Sequence, residues 1–139
     1  MGTGFNVIDG EPHKLVREAV NLGLAVDVER KDGSRSLLVP VVRDAASAGF
    51  DGFRGQFDDL VGRTRAGQVQ PDELRGATGT LTNPGGIGTI ASVPRLMAGQ
   101  GTSVATGAIG YPPGLSSMAP ETLRELGIEK VMTMTSTYD

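Results

Sequence analysis

Cysteine and tryptophan are absent from this 139-residue sequence, and histidine occurs once. Without cysteine there are no disulfides and no thiolate metal sites. A single histidine also leaves a zinc cluster short of ligands. The formal charge of -3 denies the chain the broad basic surface that nucleic-acid binding demands. No apolar run reaches the length of a membrane span, and the N-terminus lacks the apolar region of a signal peptide, so the chain reads as cytoplasmic. Aromatics are few, four Phe and two Tyr, which leaves the core to Val, Leu, Ile, Ala and Met. What remains describes one globular domain, long enough for a real core and rich in glycine.

The expected elements alternate between strand and helix. Phe5 to Ile8 is a short strand closed by the turn signal Asp9-Gly10, and His13 follows in a charged, solvated connector. Val20 to Val28 is rich in β-branched residues and reads as a strand, with Asp32-Gly33 as the reversal and Leu37 to Val42 as the returning strand. Pro40 cannot donate to a ladder, so its position is an edge or a bulge. Strands this apolar call for cover on both faces, hence a sheet with helices packed on it. Phe50, Phe53, Phe57, Leu60 and Val61 recur at helical spacing, predicting a helix from Phe50 to Arg65 with one apolar face and a stop at Gly67. A single turn is expected over Gln70 to Leu74, and an irregular connection over Ile90 to Met97. Ser103 to Ile109 predicts a buried strand, Pro120 to Leu126 a short helix, and Ile128 to Thr137 a strand.

The stretch with chemical promise is Gly76 to Thr89. It reads as a strand from Thr78 to Thr82 entering a tight turn at Asn83-Pro84-Gly85-Gly86, with the paired glycines expected at positive φ. A hydroxyl at Thr82, ending a strand before a glycine turn, sits where a substrate can approach backbone; the plainer reading is a hairpin corner without chemistry. Pro84 to Gly88 as a phosphate cradle fails, because neither a following Gly-Lys-Ser/Thr nor the dinucleotide spacing is present. Arg43, after the Val-Pro-Val-Val strand, is a candidate for a coenzyme phosphate or for a surface salt bridge.

Four blocks in order carry a family resemblance: Val20 to Asp27, Leu38 to Arg43, Thr80 to Gly88, and Met134 to Asp139. They resemble the catalytic domain of the 2-oxoacid dehydrogenase acyltransferases, the E2 core. Leu81 to Gly85, Ser92 to Met97 and Gly99-Gln100-Gly101 are similar to one branch, the E2-like domain of the actinobacterial multifunctional 2-oxoglutarate decarboxylase/dehydrogenase. A free-standing chloramphenicol acetyltransferase lacks the wording of Thr80 to Gly88.

The resemblance implies an α/β (α+β) fold, a chloramphenicol-acetyltransferase-like mixed sheet flanked by helices. It also implies a homotrimer with active sites between subunits. The implied reaction, within the tricarboxylic acid cycle, moves an acyl group, succinyl in this branch, from dihydrolipoamide to coenzyme A. E1 and E3 components, or a fused E1 domain holding thiamine diphosphate and Mg, are the implied partners, with no nucleic acid and no membrane. Thr82 matches the family's oxyanion-stabilising hydroxyl, and Asn83, Gly85, Gly86 and Arg43 fall in the implied substrate-binding region; no metal ligand is implied. The family's catalytic histidine follows Tyr-Asp directly, and here Tyr138-Asp139 are the last two residues. Residues 1–139 therefore correspond to a partial catalytic domain, incomplete at both ends. The expectation is that this polypeptide is inactive alone, with a trimerising scaffold or a degenerate remnant as the alternative.

Overall fold

A tight hairpin begins the fold. In the computed structural model, which describes residues 3–139, β1 (Thr3–Ile8) pairs antiparallel with β2 (Glu11–Val16) as a two-stranded ribbon. Asp9 and Gly10 both take positive φ, 53° and 82°, the pair of conformations that a two-residue hairpin turn requires. The charged connector expected around His13 is therefore strand β2. An exposed ribbon needs no apolar alternation, so Glu11, His13 and Lys14 conceal it in the sequence. His13 is solvent-exposed, as expected.

The main sheet is mixed. Its strands are β3 (Leu22–Glu29), β4 (Arg35–Leu38), β5 (Val41–Val42), β6 (Gly79–Thr82), β7 (Thr102–Thr106) and β8 (Met134–Tyr138), in the order β4-β3-β6-β7-β8 with β5 also on β3. Strands β3, β6 and β7 are mutually parallel; β4, β5 and β8 run antiparallel to their neighbours. The strand expected from Leu37 to Val42 is two pieces. Pro40 lies buried between them in the anticipated break, and its carbonyl still accepts from Leu24 N at 2.8 Å.

Helix α1 (Gly49–Arg65) covers one face. Leu22, Leu24 and Val26 of β3 meet Leu60, with Phe53, Phe57 and Val61 packed around them. Contacts with the core begin at Phe53, one turn into the helix, so Phe50 is left 78% exposed and does not belong to the predicted apolar face. Thr64 turns its fully buried hydroxyl back on Leu60 O, at 2.7 Å. The helix ends in a Schellman motif: Gly67 N donates to Thr64 O and Gln68 N to Arg63 O, with Gly67 at φ 70°. Helix α2 (Pro120–Glu125) ends in the same way at Gly127.

A side-chain clamp fixes the segment after α1. Arg63 grips both carboxylate oxygens of Glu73 at 2.9 and 2.7 Å and Asp59 at 2.8 Å, while Glu73 also accepts from Gln70 N. The expected turn over Gln70 to Leu74 is a 3-10 turn, Pro71–Leu74, closed by that capping box. The Arg63 guanidinium, helped by the Gln70 amide, lowers the Glu73 carboxyl from 4.5 to about 2. Its contribution to stability is therefore complete above pH 4.5 and disappears as the pH falls towards 2. A Glu73→Gln variant should have a lower urea midpoint than wild type at pH 7, and the gap should narrow steadily below pH 4.5.

The other face of the sheet is small and polar. A side chain at Gly23 would meet the Val39 side chain at 2.8 Å, and Thr80 and Ser103 are buried beside it. This face carries the irregular segment Ile90 to Met97. Thr137 Oγ1 donates to Pro94 O at 2.6 Å and Thr135 Oγ1 to Ser92 O. β8 is shorter than the strand expected from Ile128 because β7, its sheet neighbour among the described residues, stops at Thr106; beyond that point Gly107 N still donates to Thr133 O at 2.8 Å, and Gly110 bridges to Val131. The residue after β7 must be glycine because Ile90 O occupies the space of any side chain at Gly107, 1.8 Å from where a Cβ would stand.

The chain exposes 9348 Å², where a compact monomer of 14.4 kDa exposes roughly 6,800 Å². Much of the excess is apolar: Val16, Ile87, Val93, Met134 and Tyr138 are all exposed. Exposed apolar surface on this scale is more than a compact monomer usually carries.

Candidate active site

Thr82 closes β6, the central parallel strand, at its carboxyl end; β7 stops one residue beyond that level, while β3 runs on four residues to Glu29. Ligands of sheets with parallel strands gather at such carboxyl ends. Its partners in register are Ala25 on β3 and Ala105 on β7, so two methyl-bearing residues flank the threonine. Two other threonines of this stretch are already engaged. Thr80 Oγ1 donates to Gln100 Oε1 at 2.6 Å, and Thr78 Oγ1 bonds both Asn21 N and Asn21 O. Thr82 is half-buried, and among the described residues its hydroxyl has no such partner.

The turn after it departs from expectation. Residues Pro84–Ile87 form one 3-10 turn, with Asn83 Oδ1 accepting from Gly85 N at 3.1 Å and Pro84 in the first position. Gly85 and Gly86 keep negative φ; the left-handed residue is Gly88, at 87°. Gly85 is needed for another reason. A Cβ there would stand 2.3 Å from Gly107 O and 2.6 Å from Ala108 N, so the turn lies directly on the backbone leaving β7. Nothing lies within 4 Å of the same position on Gly86. Ala108 N donates to Thr89 O at 2.7 Å and secures the far side of the turn. With its Oδ1 occupied by the cap, Asn83 offers a ligand chiefly its amide nitrogen.

Asn83 and Gly86 also border an open groove of about 930 Å³ between α1 and the sheet, lined further by Phe57, Val61, Leu81 and Thr106. Arg35 at its rim is held in an ion pair by Asp27. Arg43 is elsewhere. It follows Val42, which pairs with Leu22, and Leu22 pairs with Gly79, so Arg43 lies at the end of the sheet opposite Thr82. Neither a salt bridge nor the neighbourhood of Thr82 holds its guanidinium. Its Nη2 donates to the carbonyls of Asp72 and Arg75, at 3.0 and 3.5 Å. Among the described residues no three His, Asp or Glu side chains converge as a metal-binding group.

The strand directions separate two ends of the sheet. Thr82 pairs with Ala105 and Ala105 with Thr135, while Thr102 pairs with Tyr138 and Asp139 N donates to Gly101 O at 3.2 Å. Asp139 is thus four residues along β7 from the level of Thr82, roughly 13 Å at the rise of an extended strand. His13 lies on the separate hairpin. Sequence reasoning located Thr82 and its turn, but missed the flanking alanines and Gly107, because register alone brings them together.

Comparison with known proteins agrees with this architecture. The family model described as 2-oxoacid dehydrogenases acyltransferase (catalytic domain) matches residues 6–139. The chain is 45% identical over all 139 residues to the 2-oxoglutarate dehydrogenase E1/E2 component of Corynebacterium glutamicum, spanning 11% of that protein. It is 45% identical over the same length to the multifunctional 2-oxoglutarate metabolism enzyme of Mycolicibacterium vanbaalenii, again 11% of it. Among solved structures, the dihydrolipoamide acetyltransferase of Azotobacter vinelandii superimposes with a TM-score of 0.69 at 22% identity, over 95% of this chain and 49% of that one. That study concerns a serine, a histidine and an asparagine in the catalytic mechanism of its enzyme. A truncated catalytic core of the 2-oxoacid dehydrogenase multienzyme complex from Thermoplasma acidophilum gives a TM-score of 0.68 at 23% identity, over 97% of this chain and 53% of that one. The chain thus spans about half of these solved catalytic cores and about a tenth of the curated relatives.

Proposed function

Because this chain belongs to the family of 2-oxoacid dehydrogenase acyltransferase catalytic domains, we propose that it supplies the hydroxyl-bearing half of an acyl-transfer site shared between subunits. The reaction is attack of the coenzyme A thiol on an acyl-dihydrolipoamide thioester. The attacking thiol must lose a proton, and the carbonyl oxygen must carry charge in the tetrahedral intermediate. In this reading Thr82 donates a hydrogen bond to that oxyanion, and the histidine that follows Tyr-Asp in the family takes the proton. The acyl group is succinyl, by likeness to the 2-oxoglutarate enzymes. Both substrates arrive as thioester or thiol, so the chain itself needs no resident metal. Thiamine diphosphate and Mg belong to a fused E1 region of the longer protein, and E3 activity to a partner.

The observation that carries the proposal is the separation of roughly 13 Å along the strands between Thr82 and Asp139. A base placed directly after Asp139 stands at the wrong end of its own sheet to serve its own Thr82. A second copy must bring the two together, and the exposed apolar surface gives copies something to associate through. The scaffold reading explains the apolar surface but gives no reason for an open hydroxyl between two alanines.

Mixing two variants of the full-length protein tests this. One carries Thr82→Ala, and the other replaces the histidine after Asp139. Each alone should be nearly inactive in succinyl transfer from dihydrolipoamide to coenzyme A, and dissociation and reassembly of the mixture should restore transfer. A mixture no better than its parents would put the site within one subunit. A wild-type protein without transfer activity would leave the scaffold.

A further inference from the structure

Charge is distributed unevenly around Thr82. Between Arg75 and Glu121 the chain carries one charged residue, Arg95, so the stretch that holds the hydroxyl and its turn offers little to a phosphate. The groove beside α1 has Arg35 and Arg65, but Asp27, Glu29 and Asp58 line it as well, which leaves no excess of positive charge. Arg43 stands at the opposite end of the sheet. A second cleft is differently built. Beyond the level of Thr82, the segments leaving β7 and entering β8 are joined by Gly110 N on Val131 O at 3.1 Å and Val131 N on Gly110 O at 2.8 Å. That bridge sets Tyr111 opposite Lys130, and Lys130 Nζ lies 5.7 Å from the centre of the Tyr111 ring. The end of α2 forms the other wall. There Gly127 N and Ile128 N take the carbonyls of Arg124 and Leu123, so these carbonyls present no bare acceptor to an anion. The cleft has a volume of about 420 Å³ and is lined by Tyr111, Arg124, Gly127, Ile128, Glu129 and Lys130. Two cations to one carboxylate, beside an aromatic ring and an aliphatic side chain, suit an anion that carries an aromatic base.

The distance from Thr82 is also right for one such anion. Ala105 and Thr135 are level with Thr82, and the bridge lies five residues further along one segment and four along the other, roughly 13 to 16 Å at the rise of an extended strand. The pantetheine arm that joins the thiol of coenzyme A to its pyrophosphate is as long as about four extended residues. We propose that this cleft receives the phosphorylated nucleotide of coenzyme A, with Lys130 and Arg124 meeting its phosphates and Tyr111 and Ile128 its base, while the pantetheine arm runs back to Thr82. The inference rests on the proposed acyl transfer in that coenzyme A is the acceptor. A strongly anionic substrate is then held at its far end, and the reacting thiol is left in a region almost free of charge.

Lys130→Gln and Arg124→Gln in the full-length protein should each raise KM for coenzyme A by about tenfold, the usual effect of losing one charge-assisted contact, with kcat and the KM for acyl-dihydrolipoamide unchanged. Pantetheine has the same thiol arm without the nucleotide, so the deficit of both variants should disappear when pantetheine is the acceptor. Titration calorimetry with adenosine 3′,5′-bisphosphate does not depend on acyl transfer: wild type should bind it, and each variant about tenfold more weakly. Both side chains are exposed, so melting temperatures should stay at the wild-type value. A coenzyme A KM that neither change moves, an equal loss with pantetheine, or bisphosphate binding that is absent or insensitive to both changes would overturn the assignment. If wild type transfers no acyl group, the reading of the reaction fails, and the titration still decides whether the cleft holds a nucleotide.

Discussion

Replacing Thr82 with alanine is expected to lower kcat for acyl transfer by about 10²- to 10³-fold, the usual consequence of removing one oxyanion donor. KM for coenzyme A and for the acyl-dihydrolipoamide should hardly move. The hydroxyl acts on charge that exists only in the transition state, so ground-state binding does not register its loss. Thr82→Ser should keep most of the activity, whereas Thr82→Val, which preserves shape and removes the donor, should fall with the alanine variant. Stability should change little, because the hydroxyl has no partner to lose among the described residues and its neighbours Ala25 and Ala105 make no demand on it. Steady-state kinetics of the three variants in the full-length protein check this. A valine variant as active as wild type would remove Thr82 from the chemistry.

Gly85→Ala should be severe for a different reason. The new methyl would stand 2.3 Å from Gly107 O and 2.6 Å from Ala108 N, and both obstacles are backbone. A flexible side chain can move aside, but here the turn or the end of β7 must shift, which also displaces the Ala108–Thr89 hydrogen bond. A loss of about 3 kcal/mol, the upper part of the range for overpacked sites, is expected. Activity should fall with it, since the same turn begins one residue after Thr82. The neighbouring Gly86→Ala is the control: its space is open and its φ is not positive, so the urea midpoint should stay within about 0.5 kcal/mol of wild type or rise slightly. Equal sensitivity at the two glycines would contradict this packing.

That contrast shows what a sequence can and cannot disclose. Gly85 and Gly86 are adjacent and chemically identical, and a turn was the correct reading of both. Which one is indispensable depends on Gly107, more than twenty positions away, and no local pattern reveals it. Strand β3 and helix α1 with its glycine stop were legible because their apolar residues recur with the period of the element they form, and β6 and β7 because glycine and proline turn signals bound them. β2 was not, because an exposed ribbon is under no pressure to alternate. Phe50 fits the helical period perfectly and is still outside the core, since periodicity says which side of a helix is apolar but not how far the sheet extends beneath it. For the site, the hydroxyl before the glycine turn and the family blocks were both readable. Which end of the sheet Arg43 occupies was not, because that depends on strand direction: β5 runs antiparallel to β3 and carries it to the end opposite Thr82.

The loop Ile90 to Met97 is held through the carbonyls of Ser92 and Pro94, while Val93 between them is 86% exposed. Every residue type offers the same carbonyl. The course of this cover over half of the sheet is therefore fixed by main-chain acceptors, whatever its side chains contribute elsewhere. What such a segment cannot absorb is a change in the count of residues, because the two acceptors must stay two positions apart to meet two threonines spaced by one pleat of the strand. A one-residue insertion between Ser92 and Pro94 would uncouple the loop from the edge strand even with every side chain kept.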